Sequence, residues 1–287
     1  KGYTEEIPLL NGDFVDDSEG TGFVHIAPSY GEDDFYLAKL NNIEIKDIVH
    51  DNGVYKENTP IFAGVHVFKA DEHVIESLKN ENRLIGVRDY EHSYPHSWRS
   101  KKPVIYRTTP QWFISMDKNK LREKALRGIE STKWIPASSK NRIKKMVSDR
   151  PDWCVSRQRS WGVPLTIFID KSTGEPVKDK KIMDAIILEV EKNGSDIWLS
   201  SDATKFLGKD KDPNNYEIIR DILDVWFDSG STHAFVLEDK LRWPADLYLE
   251  GTDQHRGFFQ SSLLEACGTR GEPPYKSVLT HGFVLDG

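Results

Sequence analysis

Apolar and polar residues alternate in two registers along this chain, and the register changes several times. Near the C-terminus a short apolar run, Leu247-Tyr248-Leu249, is followed by Glu250 and Gly251. The polar set Asp253, Gln254, His255 and Arg256 comes next, and then Gly257. Phe258, Phe259, Leu263, Leu264 and Ala266 recur at helical spacing up to Gly268. Short apolar run, glycine turn and 3.6-residue periodicity predict strand, turn and helix. Residues 278–286 read as a further strand. The segment Asp221-Ile-Leu-Asp-Val-Trp-Phe-Asp-Ser-Gly230 reads as another strand ending in a polar turn. Helix periodicity also marks residues 33–40, 70–80, 118–129, 140–147 and 180–192 (Ile182, Ala185, Ile186, Val190). Strand-like alternation marks residues 21–28 and 61–68.

These patterns divide the chain into four segments. Residues 1–92 are a mixed, β-rich α+β segment. Residues 93–165 are a connector rich in aromatic residues and proline, with a basic helix. Residues 166–215 form a small charged α+β insertion. Residues 216–287 form an α/β half-domain. The fold class is α/β.

Composition narrows the function. The chain has 287 residues, 38% hydrophobic and 30% charged, as expected of a globular protein of about two domains. No apolar run approaches the roughly 20 residues a membrane span needs. Two cysteines, Cys154 and Cys267, are far apart and fit a reduced, cytoplasmic setting. Net charge is −7, which argues against binding nucleic acid with the whole surface. The charge is uneven, however. Between Lys133 and Arg159 eight cations stand against two acids, a net of +6. Such a stretch suits a phosphate-contacting face or, equally, a solvated helix face. The first residue is Lys1 and the last is Gly287, and both ends read as cut from a longer chain.

The chemistry concentrates at the turn after Tyr248. Strand, glycine turn and helix build a nucleotide crevice at the carboxyl ends of an open α/β sheet. Gly251 lets a ligand approach the backbone. Asp253 is placed to accept from ribose hydroxyls, and Gln254 can both donate and accept. Glu250 can hold an ammonium. Trp226 and Phe258 are candidates for an apolar pocket wall, with ordinary core packing as the structural alternative.

The motifs Glu250-Gly-Thr-Asp-Gln-His-Arg-Gly257, Asp224-Val-Trp-Phe-Asp-Ser-Gly230 and Leu279-Thr-His-Gly-Phe283 resemble the catalytic domain of the isoleucyl class I aminoacyl-tRNA synthetases. So do Trp153-Cys-Val-Ser-Arg-Gln-Arg-Ser-Trp-Gly-Val-Pro164 and Thr109-Pro-Gln-Trp-Phe-Ile-Ser-Met-Asp117. In the first segment, Gly20-Thr-Gly-Phe-Val-His-Ile-Ala-Pro28 and Gly31-Glu-Asp-Asp-Phe35 resemble the editing domain of the same enzymes.

The resemblance implies the second half of a Rossmann catalytic domain joined through a connector to part of an editing domain. It implies ATP-dependent activation of isoleucine, transfer to tRNA(Ile) and hydrolysis of mischarged valine. Isoleucine, ATP with Mg²⁺, and tRNA(Ile) would be the ligands, and the intact enzyme would be a cytoplasmic monomer. Glu250, Gly251, Asp253, Gln254 and His281 would bind the adenylate. Trp226 and Phe258 would flank the isoleucine side chain; the family commonly has tryptophan at the position of Phe258. Asp34 would hold the α-ammonium of an editing substrate and His25 would bound its pocket. The structural alternative is helix capping by Asp33 or Asp34 and a half-buried strand histidine at 25. Arg157, Arg159 and Trp161 would contact tRNA by charge and stacking. Editing is needed because one methylene gives only about 1–3 kcal/mol of discrimination, a limit for which isoleucine against valine is the standard illustration.

Departures from the family bound these expectations. Ser97 and Ser100 stand where the family often has cysteines, and no cysteine lies in residues 168–177, so no zinc is expected. No His-Ile-Gly-His motif is present. The Lys-Met-Ser-Lys-Ser loop is expected after Gly287 and a threonine-rich editing segment before Lys1. By itself the chain is therefore expected to be inactive in aminoacylation. Two other classes stay open: a free-standing deacylase of mischarged tRNA, and a non-catalytic tRNA-binding module.

Overall fold

Two parallel strands joined by a buried helix form the centre of the second half of this chain. The computed structural model describes residues 6–18, 20–200, 202–283 and 285. It divides into two compact units, Lys1–Pro110 and Gln111–Gly287.

The first unit carries helices α1 (Glu32–Leu40) and α2 (Ala70–Asn80). Both have acids in the first turn and a lysine in the last, the arrangement the helix dipole favours. The β-rich expectation for this segment is corrected. Among the described residues of 1–92 pairing is limited to the isolated bridges Val49–Tyr55 and Val54–His66. Residues 21–28 form no ladder, and Phe23 and Val24 are 78% and 55% exposed. The alternation is present, but no neighbouring strand among the described residues takes its hydrogen bonds, and a lone strand is not stable. Residues 61–68 fail for a local reason. Ile61 sits at φ +70°, and residues 60–64 turn back on themselves.

The second unit contains, in chain order, β1 (Phe113–Ile114), α3 (Leu121–Ser131), β2 (Lys133–Ile135), α4 (Ser138–Ser148), β3 (Trp153–Cys154) and β4 (Ser156–Arg157). There follow β5 (Phe168–Asp170), α5 (Lys180–Asn193), α6 (Ile197–Ser200), β6 (Tyr216–Ile218), β7 (Ile222–Leu223) and α7 (Val225–Gly230). The last elements are β8 (Tyr248–Gly251), α8 (Phe258–Thr269) and β9 (Ser277–His281). Strands β2, β9 and β8 form a parallel sheet in that order. The strand, turn, helix and strand expected of the C-terminal segment are present, but β9 ends at His281, short of the expected residue 286; Val284 and Asp286 lie outside the described residues. The fold is α/β with a parallel sheet.

The core follows from the pattern. Leu121, Ala125, Gly128 and Ile129 line the buried face of α3. At Gly128 a Cβ would meet Pro273, Cys267 and Leu263 at 3.3–3.4 Å, so the two helices approach closely there. Trp134 donates from its indole to the Ile129 carbonyl at 2.9 Å, and Tyr275 donates to the Phe259 carbonyl at 3.1 Å. Both buried rings thus satisfy their polar atoms. A separate small core joins Phe168, Ile182, Ile186, Trp198 and Phe206 within the charged insertion, with Phe168 and Trp198 centroids 5.0 Å apart.

Three boundaries differ from expectation. The helix predicted from residue 118 begins in regular form at Leu121, because Asn119 and Lys120 both adopt left-handed backbone. Gly268 lies inside α8, and Gly271 at φ +84° follows its end. The strand expected within 221–230 is realised at β7 (Ile222–Leu223), and the polar turn expected after it is helix α7. The Asp224 carboxylate accepts from the Trp226 amide at 3.0 Å, and that cap starts the helix. Among the described residues no helix is long and apolar enough to cross a membrane.

Candidate functional site

Strand β8 delivers the chain to Gly251 at the carboxyl end of the parallel sheet, and β9 delivers His281 beside it. Gly251 and His281 are register partners. A Cβ on Gly251 would lie 2.6 Å from Asp253 Oδ1 and 3.8 Å from His281 Cε1. The backbone at Gly251 is thus overhung by Asp253 and bordered by His281, and a side chain there would occupy the space between them. Glu250 is exposed, and its Oε1 accepts from the Gly251 amide at 2.9 Å.

The four consecutive polar residues of the turn point in different directions. Asp253 and Arg256 are exposed. Gln254 is half-buried and doubly fixed: its Nε2 donates to Asp253 Oδ2 at 3.1 Å and its Oε1 accepts from the Phe258 amide at 3.1 Å. The second bond caps the first amide of α8, and the first leaves one side-chain amide proton of Gln254 for a ligand. His255 is fully buried. Its Nδ1–H donates to the Thr252 carbonyl at 2.6 Å, and its ring stacks with Trp134 at 6.3 Å. Burial lowers its pKa, so at neutral pH it is an uncharged core group.

Helix α7 brings Trp226 to the same turn. A Cβ on Gly257 would lie 2.6 Å from Trp226 Cη2 and Cζ3 and 2.7 Å from Gln254 Oε1. Trp226, 41% exposed, helps line a cavity of about 280 Å³ with Trp153, Asp224, Arg256 and Gln260. Phe258 does not line this cavity; it stacks on Tyr248 with centroids 4.9 Å apart and planes 5° apart. Trp153, not Phe258, is the other aromatic ring in the lining of this cavity.

Beneath α7 lies Glu265 on α8. Burial, reinforced by the charge of Asp228, raises its pKa to about 9. Asp228 is itself raised, by burial first and then by Asp224.

The residues expected to contact RNA separate into two kinds. Arg157 forms an ion pair with buried Asp224 and donates to the carbonyls of Cys154 and Ser156 at 2.9 and 2.7 Å. Its guanidinium is engaged within the chain. Arg159 and Trp161 are exposed, Trp161 at 90%. Residue patterning assigns Arg142, Arg150 and Arg256 no individual role, although the first two belong to the +6 stretch. Arg142 donates to Thr252 Oγ1 at 2.8 Å, and Arg150 donates to Gln260 Oε1 at 2.5 Å.

In the first unit, Asp34 Oδ2 accepts from the Ala27 amide at 2.8 Å, holding the preceding segment against the start of α1. His25 is exposed rather than half-buried, and the described hydrogen bonds do not join it to Asp34. Among the described residues no group of three or more His, Cys, Asp or Glu side chains is arranged to hold a metal ion.

Sequence comparison matches residues 32–287 to the family described as tRNA synthetases class I (I, L, M and V). The chain belongs to this family. It is 54% identical over 288 residues to an isoleucine–tRNA ligase of Pelagibacter ubique (strain HTCC1062), covering 100% of this chain and 32% of the relative. It is 48% identical over 299 residues to an isoleucine–tRNA ligase of Gluconobacter oxydans (strain 621H), covering 100% and 31%. A third isoleucine–tRNA ligase, from Francisella tularensis subsp. tularensis (strain WY96-3418), is 49% identical over 287 residues, covering 99% and 30%. The chain therefore spans about a third of the length of the curated relatives it matches.

Proposed function

We propose that this chain supplies part of the isoleucine-activating site of an isoleucine–tRNA ligase. The crowding around Gly251, where Asp253 overhangs a backbone that His281 borders, carries the reading. It lies at the carboxyl end of parallel strands, where open α/β sheets bind nucleotides. Residues 216–287 are then the second half of a Rossmann catalytic domain, 166–215 an insertion, 93–165 the connector and 1–92 part of an editing domain.

Asp253 accepts from the ribose hydroxyls of an isoleucyl-adenylate, and Gly251 admits its backbone contact. Gln254, oriented by its two bonds, presents an N–H to the aminoacyl part. Glu250 contacts the same intermediate, and His281 lies beside the adenine. Trp226 walls the isoleucine side chain, and Phe258 supports the turn from behind. In the full enzyme the isoleucine carboxylate attacks the α-phosphate of ATP, releasing pyrophosphate, and a terminal hydroxyl of tRNA(Ile) then displaces AMP. Mg²⁺ enters with the phosphates of ATP. Asp34 anchors the ammonium of a mischarged ester in the editing unit, with His25 bordering it. The same reading includes a monomeric, cytoplasmic enzyme, no zinc in this segment, and no aminoacylation by this chain alone. A free-standing deacylase has no use for the Gly251 turn.

The test is Asp253→Ala in the full-length enzyme. Isoleucine-dependent pyrophosphate exchange should fall by about 10- to 100-fold, as expected for loss of a charged hydrogen bond worth about 1.5–3 kcal/mol. Near-normal exchange would sink the assignment.

A further inference from the structure

Helix α7 is held at both ends by residues outside it. It has six residues, too few for a helix to persist by its own hydrogen bonds. At its end Gly230 packs directly onto Ser261 and Glu265 of α8. At its start the Asp224 carboxylate is divided between two partners. Oδ1 accepts from the Trp226 amide at 3.0 Å, and Oδ2 pairs with Arg157. The Asp224 amide also donates to the Val155 carbonyl at 2.7 Å.

Arg157 is oriented by its own strand. It stands on β4 as the register partner of Ile222 on β7, the strand that runs straight into Asp224. Its Nη1 donates to the carbonyls of Cys154 and Ser156, at 2.9 and 2.7 Å, which leaves Nη2 aimed at the carboxylate. A planar guanidinium held at three points is fixed in a way that a lysine ammonium is not. The other cation that senses Asp224 is Arg150, and it is held elsewhere, by Gln260 Oε1 at 2.5 Å and over the Trp153 ring at 5.4 Å. Asp224 is buried, so without Arg157 its charge must draw in water or another cation. Either response moves the cap that stands two residues before the indole of Trp226.

We infer that Arg157 is a positioning residue for isoleucine selection: through Asp224 it fixes the N-terminus of α7, and so sets where the Trp226 indole meets the amino-acid side chain. The inference rests on the reading of Trp226 as a wall of that pocket. Arg157 also borders the cavity that Trp226 lines, so direct contact with a ligand is the rival role. The two roles differ in one respect. A positioning residue acts only while Asp224 carries its charge, whereas a contact acts whatever stands at 224.

The experiment is isoleucine-dependent pyrophosphate exchange by the full-length enzyme without tRNA, for Arg157→Ala, Asp224→Asn, the double variant and Trp226→Ala. Asp224→Asn keeps an oxygen for the Trp226 amide and removes the ion pair. Arg157→Ala and Asp224→Asn should each raise the isoleucine KM about 10-fold with kcat and the ATP KM nearly unchanged, the mark of weakened binding of one substrate. Simple destabilisation would instead lower kcat by reducing the folded fraction and leave KM alone. The double variant should match the single ones within about 2-fold. Arg157→Gln, which keeps donors for the carbonyls but no charge, repeats the test should the alanine variant not fold. Additive effects in the double variant would overturn the inference and make Arg157 a direct ligand contact. An unchanged isoleucine KM in the folded Arg157 variant would overturn it as well. If that KM is unchanged while Trp226→Ala raises it, the inference falls alone. If Trp226→Ala leaves it unchanged, the reading of Trp226 falls and takes the inference with it.

Discussion

The six-membered ring of Trp226 lies over the α-carbon of Gly257, so close that a methyl group there would stand 2.6 Å from Cη2 and Cζ3. The same point lies 2.7 Å from Gln254 Oε1. One missing side chain therefore lets helix α7, which carries the indole, meet the turn that carries the amide. Trp226 can wall a pocket beside the Gly251–Gly257 turn because position 257 carries no side chain.

Gly257→Ala should force the indole or the amide to move. Overpacking of this kind costs about 1–3 kcal/mol, read as a lower urea midpoint. The same variant should bind a non-hydrolysable isoleucyl-adenylate analogue more weakly. An unchanged midpoint together with unchanged affinity would mean that the indole is free to swing away.

Arg157 offers a choice between two roles with different readouts. Its ion pair with Asp224 stands at the cap of α7, where Asp224 also accepts from the Trp226 amide. Asp224 is 5% exposed, so removing Arg157 leaves a buried carboxylate with a weaker set of partners. Because the guanidinium itself is partly solvated, the expected loss for Arg157→Ala is about 1–3 kcal/mol, less than for a fully buried pair. Denaturation of the variant measures it. If stability is unchanged and only the salt dependence of RNA binding falls, Arg157 is an RNA contact after all.

The turn at 250–257 was legible in the sequence because its signals are local. A short apolar run, a glycine and a helical repeat specify strand, turn and helix without help from distant residues. Helix α5 was legible for the same reason, with Asp179 as its cap. What could not be read was which way the polar side chains of the turn would face. His255 and Asp253 are two residues apart, yet one is fully buried against Trp134 and the other is exposed. That choice depends on rings contributed by β2 and α8. The strand at residues 21–28 failed for the opposite reason. Its alternation is clear, but a ladder depends on a partner strand, and Phe23 remains exposed without one. Charge density signalled the basic stretch, but not that Glu130 would neutralise one flank of α4 and leave the other open.

Asp34 tests whether the first unit holds part of an editing site. Its carboxylate accepts from the Ala27 amide, so Asp34→Ala also loosens the segment that includes His25. Asp34→Asn keeps a side-chain oxygen for that amide while removing the negative charge. In the full-length enzyme, both substitutions should impair deacylation of Val-tRNA(Ile) if the charge holds the substrate ammonium. Asn restoring full deacylation where Ala does not would assign Asp34 to the backbone alone.

Glu265 gives the sharpest pH dependence. Its carboxyl is buried under Gly230 of α7, in contact with the point where a Cβ would stand, and its Oε1 has no hydrogen-bond partner. Burial first, and Asp228 second, raise its pKa from the ordinary 4.5 to about 9. Between those values the folded chain holds a proton that the unfolded chain has released. The stabilising contribution is therefore fully present below about pH 4.5 and is lost as pH rises through about 9. Glu265→Gln keeps the shape and removes the ionisation. The variant should show a flatter thermal midpoint against pH over this window and a higher midpoint near its alkaline end. Because α7 also carries Trp226, ionisation of Glu265 should displace the indole. Analogue affinity should therefore decline with rising pH in the unmodified chain and hold steady in the variant. Parallel pH profiles for the two proteins would separate Glu265 from the pocket.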